Sequence, residues 1–280
     1  MSPTVSNSRS LLPYFVLVFA FSTPFWVLGA VSSQRLSSNL SLGSLMAISP
    51  VAAALVLSFR DKGSVGAKAL LRRAVDYRGL RAKAWYLPIF LLMPMTMVAE
   101  YAVLRVAGVS IPGPDIAVPE VLISFLFFFV AALFEEVGWS GYAIDRLQDR
   151  WSALTASVIL GVVWGLWHLP AIIEMPAHHN PDWIAMQCAN QVVTRILIVW
   201  IYNNTGKSVF AAILIHAVSN LSTLVLFPVN GSYYDPFVAD ALLTIVVAMV
   251  VFLWGPNTLA RYRNAGASSR VSLADGGLEP

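Results

Sequence analysis

Apolar and polar positions alternate along this chain in blocks rather than in amphipathic periods. Eight runs of mostly apolar residues, near 11–31, 40–59, 84–107, 119–144, 152–174, 183–202, 208–227 and 237–256, are separated by shorter polar segments. A helix needs ~20 such residues to cross a bilayer, and each run roughly meets that length. Turn-forming clusters separate several of them: Pro112-Gly113-Pro114, Asn203-Asn204-Thr205-Gly206 and Asn230-Gly231. The pattern predicts an all-α, polytopic integral membrane helical bundle of about eight transmembrane helices. Residues 1–263 are expected to form one transmembrane domain. The Gly/Ser/Ala-rich stretch 264–280 is expected to be a disordered cytoplasmic tail.

Composition supports lipid as the main solvent, because only 12% of residues are charged and 58% are hydrophobic. Soluble domains average about 25% charged residues. The basic pI of about 9.1 does not point to nucleic acid, since the bases follow membrane topology. Eight of them, Arg60, Lys62, Lys68, Arg72, Arg73, Arg78, Arg81 and Lys83, sit between runs two and three. Arg9, Arg146, Arg150, Lys207, Arg261, Arg263 and Arg270 fall on the same side, against Arg35 and Arg105 opposite. The positive-inside rule then places both termini in the cytoplasm of a multi-pass cell-membrane protein. The basic 60–83 segment reads as a topology anchor, with a short amphipathic helix against anionic headgroups as the alternative. The first run is longer than the 7–15 residue core of a signal peptide and is read as an uncleaved helix. The single cysteine, Cys188, allows no intrachain disulfide.

Against this background, ionisable groups inside the runs stand out: Glu135, Glu136, His168 and His216, together with the amide Asn220. Such groups are costly in a bilayer and normally face a protein interior or cavity. At 1.5 Å rise per residue, the depths from the cytoplasmic side are roughly 16 Å for Glu135, 25 Å for His168, 12 Å for His216 and 18 Å for Asn220. All four lie within the hydrocarbon layer. His216 and Asn220 are spaced i,i+4 and share a helix face, as do Trp164 and His168. Glu135 and Glu136 diverge by about 100° around their helix, so one acid faces a reaction centre and the other needs a structural partner. Gly138 and Gly141 follow closely, permitting close helix approach.

This set is competent for amide hydrolysis without a serine or cysteine nucleophile. A carboxylate can activate water, an imidazole can orient it or pass its proton on, and a second imidazole with an amide can stabilise the oxyanion. A metal reading uses nearly the same atoms: Glu135, His168 and His216 would hold a divalent ion such as zinc, although no HExxH is present. The residues alone leave these two readings open, and no cofactor is required.

EEVGWS, WGLWH and HAVSN, in that order over residues 120–225, resemble the EExxxR, FxxxH and HxxxN motifs of the CAAX-protease and bacteriocin-processing (CPBP, or Abi) family of intramembrane proteases. The resemblance implies a membrane-embedded peptidase acting on peptide or protein substrates in or at the bilayer. It implies Glu135 as the water-activating acid, Glu136 as its supporting acid, His168 as the assisting histidine, and His216 with Asn220 as the oxyanion site. Two positions depart from the family pattern: Ser140 stands where arginine is expected, and Trp164 where phenylalanine is. An arginine at 140 would neutralise Glu136 across one turn, whereas serine offers a hydrogen bond. Arg195, inside the sixth run, is the candidate source of the missing charge. The alternative functions are a catalytically silent immunity or binding protein, suggested by Ser140, and a proton-coupled transporter. Against the latter stand the clustering of the polar groups in one layer and the absence from this sequence of Gly/Pro-broken helices in paired halves. Glu100 has no role in this reading, His178 and His179 read as solvated loop residues, and the tryptophans read as packing or interface anchors.

Overall fold

The computed structural model describes residues 10–260, apart from 33–34, 38–39, 78–82, 114–115, 175–179 and 227–232. His178, His179, Asn230-Gly231 and the 264–280 tail therefore lie outside the described residues. Within them, eight helices are long and apolar enough to span a membrane. Each of the eight predicted runs coincides with one of them.

The helices are α1 (Leu12–Val31), α2 (Ile48–Arg73, preceded by a 3-10 turn Leu42–Ala47) and α3 (Tyr86–Val106). They continue with α4 (Val118–Gly138), which passes through a π-helical turn at Trp139–Ala143 into the short α5 (Ile144–Gln148). Next come α6 (Ala153–Ile173), α7 (Pro181–Asn204) and α8 (Val209–Leu221), the last extended by a π turn at Ser222–Leu226. The last is α9 (Pro236–Trp254). A small antiparallel pairing, β1 (Arg35–Ser37) with β2 (Leu40–Ser41), joins α1 to the turn before α2. Starts are fixed by side-chain caps: Ser152 accepts from the Thr155 amide, Ser208 from that of Ala211, and Asp235 from that of Phe237.

The most deeply buried span is α8, with α1 and α9 at the periphery. Packing runs α2–α4–α8 on one side and α6–α7–α9 on the other. Large side chains such as Phe252, Val106 and Ile123 project outward, as lipid-facing surfaces require. Lipid tails are as apolar as leucine, so helices in a bilayer associate through close fit and polar contacts. Glycines supply that fit here. A Cβ on Gly138 would lie 2.5 Å from the Tyr14 hydroxyl and 2.6 Å from the Pro50 carbonyl carbon and oxygen. One on Gly161 would lie 2.8 Å from the Val192 Cα, and one on Gly165 3.0 Å from the Cys188 carbonyl oxygen. Gly161 and Gly165 form a GxxxG face that brings α7 close against α6.

Gly138→Ala is therefore expected to lower the thermal midpoint in detergent, because overpacking costs about 1–3 kcal/mol when the neighbour is backbone. Gly141→Ala should shift it less, since its nearest contact is the Leu70 Cδ1 at 3.2 Å, a side-chain end that can yield. Equal shifts for the two would refute this account of α4 packing.

The basic segment after span two is partly helical. Its helix breaks at Lys62–Gly63, where Gly63 takes φ +59° and ψ −155°, and resumes to Arg73. Arg73 donates to the Gly141 carbonyl at 2.5 Å and to the Tyr202 hydroxyl, and pairs with Asp145 at 3.4 Å. The segment thus also fastens the π turn to α7. Glu100 has a place too: it is fully buried and accepts the Asp235 amide at 2.7 Å, tying α3 to the start of α9.

Candidate active site

The two adjacent acids part ways, as their angular divergence demands. Glu136 points into the protein, with no solvent exposure, and is enclosed by donors from three helices. Arg195 Nη1 on α7 lies 2.9 Å from both of its oxygens, Ser140 Oγ donates to Oε2, and His216 Nδ1 on α8 lies 2.9 Å from Oε1. Arg195 is itself fully buried. Its guanidinium sits 4.1 Å from the Trp164 ring centroid, a cation–π contact that solvates the charge where water does not reach.

Glu135 faces the other way. It lines a cavity of about 200 Å³ together with Trp164, His168, His216, Ser219 and Asn220. The Trp164 indole N–H donates to its Oε2 at 2.9 Å. That tryptophan lies edge-to-face with both imidazoles, 5.0 Å from His168 and 5.2 Å from His216 between ring centroids. One aromatic residue therefore touches the acid, both histidines and the arginine.

The histidines are oriented by their inner nitrogens. His168 Nδ1 lies 2.9 Å from the Trp164 carbonyl oxygen, an acceptor, so Nδ1 carries the proton. In the neutral ring its Nε2 lone pair is then left over. His216 is held in the same way by the Glu136 carboxylate. Trp167 braces His168 at 4.6 Å and is anchored to α1 by an indole hydrogen bond to Ser22 Oγ at 2.7 Å. The π turn follows directly on the acids, and π turns are common where a helix is bent for a function.

Both departures from the family pattern are matched by a contact. The charge missing at Ser140 comes from Arg195, and the serine hydroxyl adds a bond to the same carboxylate. The indole at Trp164 supplies Glu135 with a donor that phenylalanine lacks. The five residues singled out from sequence thus divide into Glu135, His168, His216 and Asn220 on the cavity and Glu136 behind it.

Sequence reasoning missed one wall of this cavity. Gln187, Asn190, Gln191 and Thr194, all on α7, line it opposite Phe127 and Phe128 of α4. Their spacing of i, i+3, i+4 and i+7 places four polar groups on one helix face, and that period was visible in the chain. Asn190 is held by an amide hydrogen bond to Asp240 on α9 at 2.5 Å. The Gly161–Gly165 pair that admits α7 was equally readable as a small-xxx-small motif.

Among the described residues, no three His, Cys, Asp or Glu side chains are grouped to hold a metal ion. Glu135, His168 and His216 share a cavity without forming such a ligand set. The residues present do not fit the three-ligand arrangement considered from sequence, so no step below passes through a metal.

The family described as type II CAAX prenyl endopeptidase Rce1-like matches residues 117–222, which run from α4 to the end of α8. The chain is also 30% identical over 227 residues to the CAAX prenyl protease 2 of Methanococcus maripaludis. That alignment covers 75% of this chain and 82% of the relative.

Proposed function

Starting from the fact that this chain belongs to the Rce1-like CAAX prenyl endopeptidases, within the CPBP membrane proteases, we propose that it hydrolyses peptide bonds at the cavity floor through Glu135. The observation that carries this reading is the separation of the two acids. Glu136 is enclosed by buried donors, while Glu135 lines a cavity of about 200 Å³ that has room for water.

In this mechanism Glu135 takes a proton from a water molecule as the water oxygen attacks the scissile carbonyl carbon. The Nε2 lone pair of His168 accepts the second water hydrogen and fixes the angle of attack. The carbonyl oxygen becomes an oxyanion facing Asn220 and the outer edge of His216. The Asn220 amide donates to it, as does His216 when Nε2 carries a proton. Donors placed where charge develops typically contribute most to such reactions. Collapse of the intermediate breaks the C–N bond, and Glu135 returns its proton to the leaving amine. Glu136 and Arg195 do not touch substrate. They are positioning residues that hold His216 and the Trp164 ring.

The substrate is a peptide or protein segment at the membrane. The amide face of α7 suits the backbone of an extended peptide, and Phe127 and Phe128 suit an apolar side chain. The silent-protein alternative rests on the Ser140 departure; what speaks for the hydrolase reading is the buried Arg195–Glu136 pair, which supplies the charge that serine lacks.

The test is cleavage of a peptide library by purified protein in detergent. His168→Ala is expected to abolish cutting while the thermal midpoint holds. Trp164→Phe keeps an aromatic ring but deletes the donor to Glu135. It is expected to lower kcat by about ten- to hundredfold, in line with the ~1.5–3 kcal/mol of a hydrogen bond to a charged group. Unaltered turnover in both variants would refute these roles.

A further inference from the structure

The polar residues of the α7 wall are unevenly committed. Asn190 donates to Asp240 at 2.5 Å, and Thr194 donates to the Asn190 side-chain oxygen at 3.4 Å, so these two are taken up by the fold. Gln187 and Gln191 line the same cavity and are half-buried, and among the described residues neither side chain has a hydrogen-bond partner. A carboxamide at membrane depth is costly to leave unpaired, so it calls for water or a ligand with matching polar groups.

The glycines of α6 fix the height of the two glutamines. A Cβ on Gly161 would lie 3.3 Å from the Arg195 Cβ, and one on Gly165 would lie 3.5 Å from the Gln191 Cβ. Four residues forward on α6 thus correspond to four residues back on α7. Gln191 stands level with Gly165, beside the Trp164 that donates to Glu135, and Gln187 is one turn farther on, near the level of His168. Below Gln191 the floor is closed, since Arg195 and Glu136 are both fully buried.

Residues four apart on a helix are separated by about 6 Å along its axis. In an extended chain, residues two apart turn their N–H and C=O to the same edge and lie about 6.6–6.8 Å from each other. A glutamine carboxamide carries a donor and an acceptor side by side, the complement of one residue's N–H and C=O. We propose that Gln191 and Gln187 form a two-rung ladder that binds alternate residues of an extended peptide through its main chain, on one side of the bond that faces Glu135. That this peptide is a substrate rests on the hydrolase reading above. Such recognition selects an unfolded segment and tolerates varied side chains at the two rungs. Side-chain discrimination falls to the opposite wall, where Phe127 and Phe128 stand.

The test measures binding separately from turnover. Short peptides from a random library are selected on the purified full-length Glu135→Gln protein in detergent, and each backbone N–H of a bound peptide is replaced in turn by an ester oxygen. Esters at two residues, with one residue between them, are expected to weaken binding about tenfold each, and the ester between them by no more than about twofold. Adding Gln191→Leu is expected to erase the penalty at one of the two residues and Gln187→Leu the penalty at the other, each leaving its companion intact. A library without binders overturns the inference, as do penalties at neighbouring residues or at none. So do penalties that persist in both glutamine variants, and the ester series on the protein with both glutamines decides the spacing even if a leucine variant misfolds. Wild-type protein is then given the bound peptides. If it cleaves none of them, the hydrolase reading fails while the ladder stands.

Discussion

Glu135→Gln is expected to lower kcat for peptide cleavage by about 10²–10⁴-fold, the range that general acid–base groups contribute, with KM and the thermal midpoint in detergent nearly unchanged. The size follows from what the substitution removes. Glutamine keeps the shape of the side chain and an oxygen able to accept the Trp164 indole N–H, so the cavity floor is preserved. It cannot take a proton from water. The neighbouring acid cannot stand in, because Glu136 is fully buried and its two oxygens already accept from Arg195, Ser140 and His216. Glu136→Gln should behave differently, with its loss appearing in folding and His216 placement as well as in turnover. A Glu135→Gln protein that cleaves at the wild-type rate would remove the acid from the chemistry altogether.

The largest effect on stability is expected for Arg195→Gln. Removing one partner of a buried ion pair leaves an uncompensated charge, and such changes cost about 3–5 kcal/mol. Here the stranded group is the Glu136 carboxylate, which has no exposed surface through which water could replace the guanidinium. The ring of Trp164 would also lose the cation that packs against it. Combining Arg195→Gln with Glu136→Gln removes both charges together. The double variant is expected to recover much of the lost stability, measured as the thermal midpoint of the purified protein. If the double variant is no more stable than Arg195→Gln alone, the cost comes from lost packing rather than stranded charge.

Much of the architecture was legible without coordinates because membranes impose simple requirements. Only helices satisfy their own backbone hydrogen bonds in lipid, so runs of sufficient length become spans. Each of the eight predicted runs is a helix in the structure. The spans were less legible at their ends. The chain beyond the predicted end of span two at residue 59 stays helical to Arg73 apart from a break at Lys62–Gly63, where a glycine at positive φ redirects it. The predicted fourth span becomes α4, a π turn and α5, since nothing in residues 139–143 announces the change of hydrogen-bond pattern.

The candidate site divides along the same line. Residue types and their spacing were enough to single out Glu135, Glu136, His168, His216 and Asn220, and to require that the two acids serve different ends. Spacing is local, and it reports which side chains share a face of one helix. Which acid faces the cavity is decided by the rotation of α4 against α2 and α8, and that rotation is set by Gly138 resting on Tyr14 and Pro50. The supply of charge by Arg195 depends on a contact spanning 59 residues of sequence, between α4 and an α7 that packs closely on the glycines of α6. Lipid exposure and backbone satisfaction are properties of each segment by itself, so the chain alone determined a bundle of eight helices and the polar groups it must shelter. Pairing, burial and the closed floor of the cavity depend on how segments meet, and only the tertiary structure decided those.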